Sequence, residues 1–170
     1  LGSRTAWMYE PYLDDRKTSG LLRMTDTLGF KNIMKSLDDE GIQLAVHAIG
    51  DRANDWIIDE YINLIKINGN KDRRSRIEHA QHLTIEAINK IGNYNIIPSM
   101  QPYGCIDDSR WMHKRIGPSL MSRTYIFNTF LDKNVNLTFG SDWEVTPLNP
   151  LEGIYAAVTR QTLDGSNPNG

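Results

Sequence analysis

Several common features are scarce or absent in this chain of 170 residues, and each absence excludes a class of protein. A single cysteine, Cys105, excludes an internal disulfide and is typical of a reducing compartment, which predicts a cytoplasmic protein. No apolar run approaches the roughly 18 residues that a membrane span requires. The net charge of −2 offers no basic surface for nucleic acid. Neither a Gly-rich phosphate loop nor a G-x-S-x-G nucleophile elbow is present.

An initiator methionine is lacking as well, because the chain begins at Leu1, and its end at residues 165–170 has a loop-like composition. The length allows one domain with a substantial core. It falls short of the roughly 250 residues of a complete (β/α)8 barrel. We therefore expect residues 1–170 to be an internal piece of a longer protein.

Short apolar strands alternate with amphipathic helices along the chain, which is typical of an α/β fold with a parallel sheet. The first strand is almost continuously apolar, which predicts burial on both faces. Residues 1–25 are predicted to form a long loop, the basic residues 71–76 a solvated connection, and residues 101–118 a functional loop. The predicted strands cover residues 42–48, 76–79, 96–100 and 135–141, and the predicted helices residues 28–40, 52–67, 84–92, 120–133 and 150–163.

Three polar residues, His47, His79 and Asp142, each follow a predicted strand, and the gaps between them are 32 and 63 residues. A (β/α)8 barrel uses about 31 residues for each strand and helix, so these gaps correspond to one unit and two units. The spacing predicts a partial (β/α)8 TIM barrel with all three side chains on its active-site rim. A lone histidine at a strand end is more often a hydrogen-bonded structural residue. Two imidazoles and a carboxylate in register instead favour a site for zinc or a similar divalent ion.

Gln101, Tyr103 and Trp143 also follow predicted strands directly and are expected at the same rim. The two aromatic side chains either line a substrate pocket or cap the core, and the sequence leaves both interpretations open. The carboxylate of Asp142 is the candidate to take a proton from bound water. These residues predict a hydrolase in which Asp142 is both a metal ligand and the catalytic base.

Other polar residues near the predicted rim have simpler interpretations. His82 is expected to be a polar loop residue rather than a support for the ligands, and His113 to be solvated. Asp51 is expected to cap the following helix rather than to orient a ligand. Glu78 should point away from His79, towards the helix layer, where a pair with Arg76 or with a helix residue is the modest expectation. No nucleophilic role is assigned to the lone cysteine.

Four sequence strings resemble the amidohydrolase superfamily and, more narrowly, amidohydrolase family 3, in the branch that contains N-substituted formamide deformylase. They are VHAIGDRA at residues 46–53, RIEHAQ at 76–81, MQP at 100–102 and FGSDW at 139–143. The resemblance extends over nearly the whole chain.

This resemblance implies a metal-dependent barrel that hydrolyses non-peptide C–N bonds in a small amide, formamide or N-acyl substrate, with one or two divalent ions, zinc expected. His47, His79 and Asp142 match the metal ligands of strands five, six and eight, so this chain would supply about strands five to eight. The His-x-His pair of strand one and the lysine of strand four lie outside it. Half a barrel leaves sheet edges exposed, so the isolated piece is expected to be inactive, poorly stable or a homo-oligomer. The alternatives are a phosphoester or lactone hydrolase, or a non-catalytic homologue acting as a regulator or binding scaffold.

Overall fold

One parallel sheet of four strands runs through residues 1–167, the part of the chain that the computed structural model describes. The strands lie side by side in chain order, and each pairs in parallel with the next. Their bounds are β1 Ala45–Ala48, β2 Arg76–His79, β3 Ile97–Met100 and β4 Thr138–Phe139. Parallel strands in chain order place their carboxyl ends along a single edge of the sheet. Of the predicted terminal loop, residues 168–170 lie outside the described residues.

Helices connect every pair of neighbouring strands, which confirms the predicted α/β fold with a parallel sheet. A short 3₁₀ turn, Met112–Lys114, follows the fourth helix. The helices are α1 Thr27–Asp39, α2 Asp51–Asn68, α3 Ile85–Asn93, α4 Pro102–Asp108, α5 Pro118–Met121, α6 Phe127–Asp132 and α7 Pro150–Thr159. Among the described residues, no helix is both long and apolar enough to cross a membrane.

Two helix ends follow directly from local sequence. The Asp26 side chain accepts a hydrogen bond from the Gly29 amide at the start of α1, and Gly41, with φ of 73°, follows the end of that helix. At the start of α3, the Thr84 side chain accepts a hydrogen bond from the Ala87 amide. These caps pair backbone groups that the helices leave without an internal partner.

The main core lies between the sheet and the helices. Ile57 and Tyr61 from α2, Ile77 from β2 and Phe130 from α6 are each at most 1% exposed and belong to the same cluster. Tyr61 also donates a hydrogen bond of 2.8 Å to the carbonyl of Arg76, where β2 begins. The helix-covered face of the sheet is therefore the one that carries Ile77.

The strand β1 is exposed where the sequence predicts burial on both faces. Ala45 and His47 point to an open face, whereas Ala48 is buried. Only β2 pairs with β1 among residues 1–167, so β1 is an edge strand in that region. β4, at the opposite edge, contains two residues, and both are exposed.

Two predicted segments differ from the structure. Residues 101–118 contain α4 and the 3₁₀ turn rather than one long loop. The helix predicted over residues 120–133 is instead the two short helices α5 and α6, because Tyr125 between them has a φ of 51° that a right-handed helix cannot accommodate. The helix predicted over residues 150–163 is α7, which ends at Thr159. It ends there because the backbone of Arg160 is in the left-handed region, with a φ of 57°.

The basic segment 71–76 is not simply solvated, because Arg73 is ion-paired to a buried carboxylate. Asp38, at the end of α1, is 3% exposed and accepts hydrogen bonds of 2.7 Å from Arg73 Nε and from Asn68 Nδ2. Burial raises the pKa of Asp38, but the hydrogen bonds from Arg73 and Asn68 outweigh it, and the net pKa is below its ordinary value. Through its bonds to Asn68 and Arg73, the Asp38 carboxylate joins the ends of α1 and α2 to the segment that leads into β2.

Candidate functional site

The His47 and His79 imidazoles meet at the carboxyl edge of the sheet. Their ring centroids are 4.5 Å apart and their planes make an angle of 72°. The pairing of β1 with β2 sets His47 beside Glu78 and Ala48 beside His79. Side chains alternate between the two faces of a strand, so regular geometry would point His79 towards the helices. A left-handed backbone at His79, with φ of 76°, turns its ring towards His47 instead.

The same alternation corrects the expectation for Glu78. Glu78 shares the open face of the sheet with its register partner His47, not the helix-covered face that carries Ile77. Its predicted pair with Arg76 is confirmed, with 2.8 Å between Arg76 Nε and Glu78 Oε1. Both side chains of this ion pair are partly exposed on the open face.

The carboxylate of Asp142 approaches the histidine pair from the loop after β4. Its Oδ2 atom lies 3.9 Å from His79 Nε2. Asp142 also has a left-handed backbone, with φ of 59°. Non-glycine residues adopt this conformation at a cost that surrounding contacts must offset, and they cluster at functional sites. Two of the three residues singled out by the sequence thus have the same unusual backbone.

The environment of His79 favours the neutral imidazole. Burial and the nearby His47 lower the pKa of His79, while Asp142 and a hydrogen bond with Gln101 partly oppose that shift. A neutral ring keeps the lone pair that a metal ligand donates. The lowered pKa of His79 therefore favours the form of the ring that can bind a metal ion.

The side chains of His47, His79 and Asp142 meet some of the requirements for binding a divalent ion. Two bonds of about 2.0–2.2 Å to one zinc ion span up to roughly 4.2 Å, so the 3.9 Å between His79 Nε2 and Asp142 Oδ2 is within reach of a shared ion. His47 provides a second imidazole beside His79. Within residues 1–167, however, no three side chains of His, Cys, Asp or Glu converge closely enough to hold a metal ion. The described residues provide adjacent pairs of ligands rather than a complete shell.

The residues predicted to line the pocket occupy different environments. Gln101 is 9% exposed, directly precedes α4, donates a hydrogen bond to the carbonyl of Ser99 and is close enough to His79 to raise its pKa. Tyr103 is half-buried in the first turn of α4. Trp143 is 66% exposed, next to Asp142 in the chain. The structure therefore brings Gln101 to the histidine pair and leaves an aromatic surface at Trp143.

His82 lies in the loop between β2 and α3, as predicted, but it is fully buried. Its Nδ1 lies 2.8 Å from Thr124 Oγ1, and that hydroxyl donates to the carbonyl of Leu120. Because the hydroxyl proton is used there, His82 Nδ1 must be the donor to Thr124. Burial lowers the pKa of His82 to about 3, and Nε2 has no hydrogen-bond partner among the described residues. Its position between the apolar residues Ala80 and Leu83 is the sequence signal for burial.

Asn54 is a second buried polar residue that sequence reasoning missed. It lies just after the VHAIGDRA string, as the fourth residue of α2, and is 0% exposed. Its side-chain nitrogen hydrogen-bonds to carbonyls of two loops, the one after β1 and the one after β2. Sequence periodicity places Asn54 near the buried face of α2 but gives no indication of these partners.

Asp51 does not have its expected role as the helix cap, because Gly50 is the N-cap of α2 and no side chain of the described residues caps that end. Asp51 is the first residue of α2, and its Oδ1 accepts hydrogen bonds from the amides of Tyr9 and Arg52. Burial raises the pKa of Asp51 despite these bonds. His113 is exposed, as expected. Cys105 is a buried free thiol whose pKa burial raises to about 11.

Comparison with known proteins gives one family and several relatives. The sequence profile of the amidohydrolase family matches residues 1–169. The chain is 42% identical over 161 residues to Protein LONG AFTER FAR-RED 3 of Arabidopsis thaliana, covering 94% of this chain and 27% of that protein. It is 34% identical over 169 residues to the putative amidohydrolase YtcJ of Bacillus subtilis strain 168, covering 98% and 31%.

Two solved structures have the same fold over this region. An uncharacterized metal-dependent hydrolase from Pyrococcus furiosus superposes with a TM-score of 0.82 at 30% identity, covering 98% of this chain and 34% of that one. An uncharacterized metal-dependent hydrolase from Pyrococcus horikoshii OT3 gives 0.81 at 32% identity, covering 94% and 31%. The chain thus spans about a third or less of the length of each of these relatives.

Proposed function

Because the chain belongs to the amidohydrolase family, we propose that residues 1–170 form the C-terminal half of a metal-dependent hydrolase of the (β/α)8 barrel type. The four parallel strands would be strands five to eight, in the chain order that such a barrel requires. The likeness to two Pyrococcus structures that are named metal-dependent hydrolases supports this assignment. The other strands and an accessory β domain would lie outside these residues.

The proposed reaction is hydrolysis of a non-peptide C–N bond in a small amide, formamide or N-acyl compound. The observation that carries it is the His47–His79 pair with the Asp142 carboxylate 3.9 Å from His79. These three residues would hold a divalent ion, zinc by the chemistry of the donor set. Such an ion lowers the pKa of bound water towards about 7 and polarises the substrate carbonyl.

The protein groups have separate roles in this proposal. Asp142 accepts a proton from the attacking water and delivers it to the departing nitrogen. His79, whose pKa burial lowers, would donate its lone pair to the ion, with Gln101 beside it. Tyr103 and Trp143 would contact the substrate with Gln101. The choice of a C–N bond rests on the family, and the formamide deformylase branch remains part of the proposal.

The test uses the complete natural polypeptide and a panel of formamides, N-acyl compounds, phosphoesters and lactones. Hydrolysis that is lost with a chelator and restored by zinc is the expected result. Asp142→Asn should lower kcat about a hundredfold or more, because the variant cannot accept the proton. Asp132→Asn makes the same change of charge at an exposed position and should leave kcat unchanged. Full activity in Asp142→Asn would remove this residue from its proposed role, and turnover of esters alone would reassign the substrate class.

A non-catalytic function is the second candidate. One observation favours it: the side chains of residues 1–167 do not provide three converging metal ligands. The name of the Arabidopsis relative also states no enzymatic activity. A complete, folded polypeptide that binds no zinc and hydrolyses no member of the panel would support a regulator or binding scaffold instead.

A further inference from the structure

The side-chain nitrogen of Asn54 is surrounded by backbone carbonyl oxygens in a fully buried position. Four of them lie within hydrogen-bond distance of Nδ2: those of Ala48 at 3.3 Å, Ile49 at 3.2 Å, Gly50 at 2.9 Å and His82 at 3.1 Å. The orientation of this amide is fixed, because the reverse orientation would point Oδ1 at four oxygens that cannot donate. The nitrogen must therefore face the carbonyls.

One of these contacts is ordinary for a helix. A short polar side chain commonly bonds to the carbonyl four residues before it, as Asn54 does with Gly50. The bond to His82 is different, because it joins residues 28 positions apart. Asn54 Oδ1, by contrast, is buried without a hydrogen-bond partner. Leaving a buried acceptor unpaired is unfavourable, so packing of the nitrogen against the carbonyls must offset that cost.

The carbonyls belong to the two loops that carry the candidate ligands. Residues 48–50 follow His47 directly, and His82 lies three positions after His79. Backbone bonds connect the same loops, from the Ala80 amide to the Ala48 carbonyl at 3.1 Å and from the His82 amide to the Ile49 carbonyl at 3.0 Å. These bonds form a junction between the loop after β1 and the loop after β2, and Asn54 of α2 adds side-chain hydrogen bonds to both loops.

The junction also surrounds the strained turn that aims His79. His79 and Ala80 have φ of 76° and 44°, a conformation that non-glycine residues adopt only when their surroundings hold it. If the loop after β2 relaxed, His79 would revert to the regular strand geometry that points it away from His47. The spacing of the two imidazoles therefore depends on contacts that keep both loops in place.

We propose that Asn54 is a positioning residue that clamps the loops after β1 and β2 and thereby fixes the His47–His79 separation. The effect of this clamp on metal binding rests on the function proposed above. The clamp itself does not, because it predicts a local property of the metal-free protein. The two parts can therefore be tested separately.

The first measurement is amide hydrogen exchange in the metal-free, complete polypeptide, comparing wild type with Asn54→Ala and Asn54→Ser. Serine can still bond within the helix but is too short to reach His82, so both variants should exchange faster at the Ala80 and His82 amides. The matched control is Tyr61→Phe, which removes another, partly buried hydrogen bond of α2, to the carbonyl of Arg76 at the opposite end of β2. Equal exchange at Ala80 and His82 in the Asn54 variants and the control would overturn the clamp.

The second measurement is zinc affinity, obtained by competition with a chromophoric chelator. Asn54→Ala should bind zinc about ten- to a hundredfold more weakly than wild type, the usual effect of removing a residue that orients metal ligands, while Tyr61→Phe should bind normally. Unchanged zinc affinity in Asn54→Ala would overturn the positioning role. Faster local exchange in a protein whose wild type binds no zinc would leave the clamp in place and reject the proposed metal site.

A third measurement covers the case in which the Asn54 variants do not fold. In wild type the side-chain amide protons of Asn54 should exchange far more slowly than those of a solvated asparagine such as Asn70, which is exposed. Similar exchange at Asn54 and Asn70 would contradict the clamp without any substitution.

Discussion

The burial of His82 predicts that the protein loses stability as the pH falls below neutral. The ring is fully buried, and burial lowers its pKa to about 3 in the folded state. In the unfolded chain the same ring takes up a proton near pH 6.5. Between these values the unfolded state binds more protons than the folded state, so the free energy of unfolding decreases as the pH falls. The loss begins near pH 6.5 and levels off below about pH 3.

The size of this effect follows from the two pKa values. Each pH unit between them costs about 1.4 kcal/mol, so moving from pH 7.5 to pH 5 should lower the free energy of unfolding by about 2 kcal/mol through His82 alone. The folded-state ring is still neutral at pH 5, and the loss is therefore set almost entirely by the unfolded chain. This is a large fraction of the stability of an ordinary domain.

Urea unfolding at a series of pH values between about 7.5 and 5, which spans the titration of an unfolded histidine, measures the effect, with His82→Asn as the comparison. Asparagine keeps an N–H that can donate to Thr124 but cannot take up a proton. The variant should be less stable at pH 7.5 because the smaller side chain leaves a cavity. Between pH 7.5 and pH 5 it should lose about 2 kcal/mol less than wild type. Equal losses in the two proteins would refute the buried, neutral state of His82.

Three further predictions concern packing and assembly. Asp38→Asn should lower the free energy of unfolding by about 3 kcal/mol in urea titrations, because it leaves the buried Arg73 guanidinium without its carboxylate, whereas Asp39→Asn at the exposed neighbouring position should have far less effect. Cys105, with a pKa raised to about 11, should react with an aromatic disulfide reagent only after denaturation. The isolated polypeptide 1–170 should self-associate in sedimentation velocity through the edges at β1 and β4, and a stable, monomeric and active form would contradict this.

The elements that could be predicted from sequence are those whose cause is local. The strand Arg76–His79 and the cap at Thr84 follow from short patterns of apolar residues and a hydroxyl before a helix. The spacing of His47, His79 and Asp142 also predicted residues at one edge of a parallel sheet, and the structure brings His79 close to each of the other two. Periodicity carries this information because each strand and helix adds a similar length of chain.

The elements that could not be predicted depend on partners far along the chain. His82 is buried because Thr124, 42 residues later, accepts its hydrogen bond, and the same contact lies in the break between α5 and α6. The apolar neighbours Ala80 and Leu83 indicate burial, but the sequence does not show the partner that makes burial of the ring possible. The prediction that β1 is buried on both faces is wrong for a related reason. Its apolar composition is typical of a strand with neighbours on both sides, whereas residues 1–167 provide a neighbouring strand on one side.

His79 illustrates how a local rule fails at a site that needs a different geometry. The alternation of side chains along β2, read from Ile77 in the core, assigns His79 to the helix-covered face. Its left-handed backbone reverses that assignment and creates the contact with His47. Such a backbone is stable only if the surrounding bonds offset its cost, and the bonds from Ala80, His82 and Asn54 to the neighbouring loop are placed to do so. The departure from strand geometry and the buried amide beside it are therefore two parts of one arrangement, which holds two imidazoles together at the edge of the sheet.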